Sequence, residues 1–115
     1  MSFAGTSDIP LFGFAWFRKP FWEDPTEWLK QSSLMHVDKV KTPVLLMTGV
    51  LDLRTPMPET EQYYVALKML GVPVAMLRFE NEWHGTSSRP SNFMRTQLYM
   101  MSWYRKWAGG SRAAN

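Results

Sequence analysis

The chain has 115 residues, 45% hydrophobic and 15% aromatic, which is apolar material enough for one domain with a core and argues against disorder. Its formal charge of +3 comes from Lys and Arg scattered along the chain, so there is no basic run to track phosphates and no nucleic-acid partner is expected. The absence of cysteine excludes a disulfide scaffold and any thiolate zinc site, and two distant histidines offer too few soft ligands; the expectation is a cytoplasmic protein with no metal and no cofactor.

No stretch approaches the roughly 18 consecutive apolar residues of a membrane span. The start, Met1-Ser2-Phe3-Ala4-Gly5, lacks the basic and apolar regions of a signal peptide, so no membrane association is expected. From Met1 to about Trp22 the chain is rich in Gly, Pro and aromatics without helical or strand period, and it reads as irregular. Asp24-Pro25 then offers a cap acceptor and a residue whose missing N–H is harmless in a first turn, so a short helix is predicted over Thr26–Gln31 with Trp28 and Leu29 inward.

After Lys41-Thr42-Pro43 the apolar run Val44-Leu45-Leu46-Met47-Thr48, closed by Gly49, suits a strand buried on both faces of a parallel sheet. Asp52 follows directly. Beyond Pro56 and Pro58, the stretch Glu59–Leu70 places Tyr63, Leu67 and Leu70 at helical spacing, with Gly71 where a left-handed cap belongs. Val74–Phe79 is a second strand, and the order strand, helix, strand predicts a crossover that leaves the two strands parallel.

His84 follows that second strand, so Asp52 and His84 are expected at the same edge of the sheet, where open α/β folds place their chemistry. A long helix over Pro90–Trp107 is predicted to carry Phe93, Gln97, Met100, Tyr104 and Trp107 along one stripe, with Met94, Leu98 and Met101 beside it. Residues 108–115 read as a flexible tail. One domain, 1–115, is therefore expected: an irregular segment with a short helix over 1–40, then strand, helix, strand and helix over 41–107.

A His–Asp pair serves acyl transfer, because imidazole takes the nucleophile's proton while the carboxylate fixes the ring tautomer and stabilises the imidazolium. Asp52 and then His84, each after its own strand, is the order in which these partners follow the serine of an α/β-hydrolase. Taken singly, both have blander readings: Asp52 as the cap of a turn and His84 as a loop histidine. His36 has no partner in sequence and reads as structural. The six tryptophans and nine methionines read as core material rather than a ligand platform.

The segments Thr42–Pro56, Glu61–Lys68, Gly71-Val72-Pro73 and Glu82-Trp83-His84-Gly85 together resemble the C-terminal part of the prolyl oligopeptidase family of serine peptidases, nearest its acylaminoacyl-peptidase and dipeptidyl-peptidase-like members. Gly5-Thr6-Ser7-Asp8 and Trp22-Glu23-Asp24-Pro25 extend the likeness. The resemblance implies a partial α/β-hydrolase fold, Asp52 as the triad acid, His84 as the general base, Arg54 and Pro56 as the surroundings of that acid, and a peptide or ester substrate. It departs at Thr48-Gly49, where the family shows His-Gly, and at Val50 in place of an acidic residue.

No Gly-x-Ser-x-Gly elbow is present, and neither Ser87, Ser88, Ser91 nor any other serine has the flanking glycines. The chain is also shorter than the roughly 200–250 residues over which single α/β domains commonly run. A truncated hydrolase, weak or inactive alone, is the expectation that follows. In the resembled fold Val44–Thr48 is an interior strand, so a homo-oligomer formed through that strand and the aromatic surface is expected. The alternatives are a non-catalytic self-associating or partner-binding module, and a hydrolase whose site is assembled in an oligomer.

Overall fold

The computed structural model describes residues 18–20, 22–86 and 88–108. The irregular reading of residues 1–17, the likeness at Gly5-Thr6-Ser7-Asp8, and the tail from Gly109 lie outside them. Helix α1 spans Thr26–Gln31, followed by a 3₁₀ helix over Ser33–Lys39, strand β1 over Val44–Gly49, helix α2 over Met57–Met69, strand β2 over Val74–Phe79 and helix α3 over Pro90–Ala108. The 3₁₀ helix is unforeseen by periodicity, which such short, poorly bonded turns seldom display. Ala108, read as tail, ends the last helix.

The two strands pair parallel in a register that sets Val44 against Val74 and Gly49 against Phe79. Their C-terminal ends therefore lie side by side, and the loops that leave them start from adjacent points. Helix α2 bridges the strands and packs on both of them and on the 3₁₀ helix. Leu67, in the middle of its inward side, is fully buried and joins Trp28, Met57, Val74 and Phe79 as the buried apolar side chains among the described residues.

Burial on both faces of β1 is not what the fold provides. Val44 to Met47 are only half-buried, since within the described residues β1 has β2 as its sole partner. The last helix also turns a different side inward. Asn92 and Thr96 are its buried residues, whereas Phe93, Met94, Leu98 and Tyr104 of the expected apolar stripes stand exposed. Asn92 is anchored on Glu82, its amide 2.7 Å from the carboxylate.

Local chemistry explains the element ends. Thr26 N–H donates to the Asp24 carboxylate at 3.1 Å, although it is Pro25 that occupies the cap position of α1. Helix α2 begins at Met57, two residues before the predicted start, because Pro58 is compatible with a first turn. At its other end Val72 N–H reaches Leu67 O at 3.0 Å and Gly71 N–H reaches Lys68 O at 3.1 Å, a Schellman closure.

Gly71 makes that closure with φ of 72°, and a Cβ there would meet nothing within 4 Å. The whole cost of a side chain at this position is therefore conformational. Gly71→Ala is expected to lower unfolding free energy by about 1 kcal/mol, read by urea denaturation, without disturbing the strand ends.

Candidate active site

The turn after β1 is tied to its neighbours before any side chain is considered. Val50 N–H donates to Phe79 O at 3.0 Å, Leu51 N–H to Glu82 O at 3.0 Å, and Asp52 N–H to Gly49 O at 3.2 Å. The loop carrying Asp52 is thus stitched both to β2 and to the loop carrying His84. Gly49 permits this approach. A Cβ there would collide with the carbonyl oxygens of Glu82 and Trp83, although its backbone does not demand glycine.

Asp52 is 6% exposed, and every hydrogen bond it makes has a local or cross-loop purpose. Its Oδ1 accepts the N–H groups of Arg54 at 2.8 Å and Thr55 at 3.0 Å, which folds residues 52–55 into a turn around the carboxylate. Its Oδ2 accepts the Thr55 hydroxyl at 2.8 Å. His84 Nδ1 lies 3.0 Å from Oδ2 and 3.2 Å from Oδ1. Burial pushes the Asp52 carboxyl upward, yet the bonds from Thr55, Arg54 and His84 outweigh it and hold the group below the usual aspartate range.

The two residues expected from sequence are therefore brought together across 32 positions of chain. With Nδ1–H donated to the carboxylate, the lone pair of His84 belongs to Nε2, on the far side of the ring. The imidazole is 53% exposed, so a buried acid holds one edge of the ring while the basic region remains accessible to solvent. That arrangement can accept a proton from a hydroxyl or water and return it to a leaving group.

Sequence reasoning missed the supports. Thr55 supplies two of the bonds that orient Asp52, although its place beside Arg54 and Pro56 distinguishes it in no way from a turn residue. Glu82, quoted only as part of the histidine motif, is fully buried. Its carboxylate accepts the Asn92 amide at 2.7 Å and the Ser88 hydroxyl, with Ser88 N–H at 3.4 Å. Hydrogen bonds from Asn92 and Ser88 hold the Glu82 carboxyl below the ordinary glutamate range.

Among the described residues no serine hydroxyl is bonded to His84; that of Ser88 is turned to Glu82. Ser2, Ser7, Ser87 and Ser111 lie outside them. His36 is engaged elsewhere, its Nε2 at 2.7 Å from Lys30 O. Neither a group of three or more metal-ligating side chains nor a helix long and apolar enough to cross a membrane occurs among the described residues.

Residues 1–111 match the model of the prolyl oligopeptidase family. The chain is 34% identical over 114 residues to the acylamino-acid-releasing enzyme of Arabidopsis thaliana, covering 92% of this chain and 15% of that enzyme. It is 33% identical over 107 residues to YuxL, an uncharacterized peptidase of Bacillus subtilis (strain 168), covering 90% of this chain and 16% of the relative. The uncomplexed acylaminoacyl peptidase of Pyrococcus horikoshii superposes with a TM-score of 0.73 at 28% identity, over 91% of this chain and 18% of that one. The chain thus spans about a sixth of the length of these relatives.

Proposed function

The chain belongs to the prolyl oligopeptidase family, and from that premise we propose that Asp52 and His84 are the acid and general base of a serine-hydrolase site acting on peptide or ester bonds. The observation that carries this reading is the 3.0 Å contact of His84 Nδ1 with a buried Asp52 carboxylate at the shared C-terminal edge of two parallel strands. Asp52 holds the imidazole by Nδ1–H. His84 Nε2 takes the proton of a serine hydroxyl as it attacks the acyl carbon, then delivers it to the departing amine or alcohol, and the imidazolium formed between is stabilised by the Asp52 charge.

The relatives named as acylamino-acid-releasing enzymes support an N-acylated amino-acid or peptide substrate. No serine of the chain stands in a Gly-x-Ser-x-Gly elbow, and the 115-residue chain by itself is therefore read as a weak catalyst. With p-nitrophenyl acetate, Asp52→Ala and His84→Ala are each expected to remove the chain's turnover by about 100-fold. Equal background rates in the three proteins would overturn the assignment of chemistry to these residues.

A second reading, a self-associating module or a hydrolase site assembled in an oligomer, is favoured by one feature of the fold. Strand β1 has an unpaired edge among the described residues, and Phe93, Tyr99, Tyr104 and Trp107 of α3 are exposed. Unpaired apolar strands template pairing with a second copy. Molar mass from light scattering is expected to show a homo-oligomer in which residues 44–48 contribute, and a monomer at all concentrations sinks this reading.

A further inference from the structure

We infer that Glu82 is the positioning residue of the acid–base pair: its buried carboxylate and its carbonyl together hold the His84 loop in register with the Asp52 loop. This rests on the reading of Asp52 and His84 given above. Three separate fixings converge on the one residue. Its carboxylate is bound by Ser88 and Asn92, which pin the far end of the histidine loop and the first turn of α3. Its carbonyl accepts Leu51 N–H at 3.0 Å, one residue before Asp52. Its N–H donates to Phe79 O at 3.2 Å, the last residue of β2.

A buried carboxylate is costly unless its oxygens are satisfied, and here both are, by groups that lie six and ten residues further along. The loop from Glu82 to Asn92 is consequently closed on itself, with His84 inside the closure and two residues from its anchor. The same anchor accounts for the rotation of α3. Asn92 must face Glu82, and Thr96, one turn on, is turned inward with it while Phe93 and Met94 face out.

The consequence lies in the ring of His84. A neutral histidine free in water is a mixture of two tautomers, whereas one held against a carboxylate by Nδ1 is confined to the Nδ1–H form. In a His36→Gln background, which leaves His84 as the single imidazole, ring ¹⁵N shifts at a pH where the ring is neutral report that population directly. The wild-type loop is expected to show the Nδ1–H form, and Asp52→Ala, which removes the acceptor, to show the mixture.

Glu82→Ala and Asn92→Ala are expected to move the ring ¹⁵N resonances most of the way to the Asp52→Ala values. Glu82→Gln, which can still accept from Ser88 and pair with a rotated Asn92 amide, is expected to restore most of the wild-type shifts. Circular dichroism on each sample separates this from unfolding, and Asn92→Ala carries the test if Glu82→Ala does not fold. Wild-type ring shifts in folded Asn92→Ala and Glu82→Ala would overturn the role given to Glu82. A tautomer mixture already present in the unsubstituted chain would instead overturn the Asp52–His84 pairing, so the two failures are distinguishable.

Discussion

Gly49→Ala is expected to cost about 3 kcal/mol of stability and to break the Asp52–His84 bond, an effect out of proportion to one methyl group. The reason is what lies over Gly49. The carbonyls of Glu82 and Trp83 occupy the place a Cβ would take, and both belong to backbone that is itself held by β2 and by the anchors of Glu82. A flexible side chain would swing away from an added methyl, but these carbonyls can move only if the histidine loop moves with them. Urea denaturation gives the energy and the ring ¹⁵N shifts of His84 give the geometry. A loss below about 1 kcal/mol with the Nδ1–H tautomer retained would show that the loop yields more easily than its bonding implies.

Gly71 needs its backbone conformation and has open space around it, whereas Gly49 has an ordinary backbone and no space. The first substitution should therefore affect stability alone, and the second stability and site together.

Asp52→Ala is expected to lower stability by about 3 kcal/mol at neutral pH, because it removes the acceptor for two backbone N–H groups, one hydroxyl and one imidazole from an almost fully buried position. The effect should depend on pH with a definite sign. The hydrogen bonds hold the folded-state pKa of Asp52 below its unfolded value, so the folded protein binds this proton less readily than the unfolded chain. The stabilisation is then complete above the unfolded pKa of about 4, and it is lost as pH falls through the lower folded value. The wild-type and Asp52→Ala stability curves should accordingly converge under acid. A difference that stays constant from neutral pH to well below pH 4 would show that the substitution acts through packing rather than through the charged acceptor.

The same direction holds for Glu82, whose carboxyl is kept low by Asn92 and Ser88. Acid should therefore loosen the pair from two sides, releasing the turn of residues 52–55 and the closure of the histidine loop. Protection of the Leu51 amide from exchange reports that junction under acid.

Much of this architecture was legible in the amino-acid order, since it is written in short-range patterns. The bounds of β2 and α1 follow from runs and caps that each segment carries within itself. Gly71 announces the end of α2 because no side chain tolerates the left-handed backbone as cheaply. Asp52 and His84 could be placed at one edge by arithmetic, since parallel strands in succession must bring their C-terminal ends together.

What the tertiary structure alone decided is which faces are covered and which polar groups support the site. The apolar spacing of α3 is compatible with several rotations of the helix, and the one realised buries Asn92, bonded to Glu82, while Phe93, Tyr99 and Tyr104 stand exposed. Likewise, Val44 to Met47 have the composition of a doubly covered strand, yet coverage depends on neighbours and not on the strand's own residues. Thr55 and Glu82 look like an ordinary turn threonine and an ordinary surface acid. Their roles come from burial and from partners brought in by folding, and a burial energy does not exist until the chain has closed around the group.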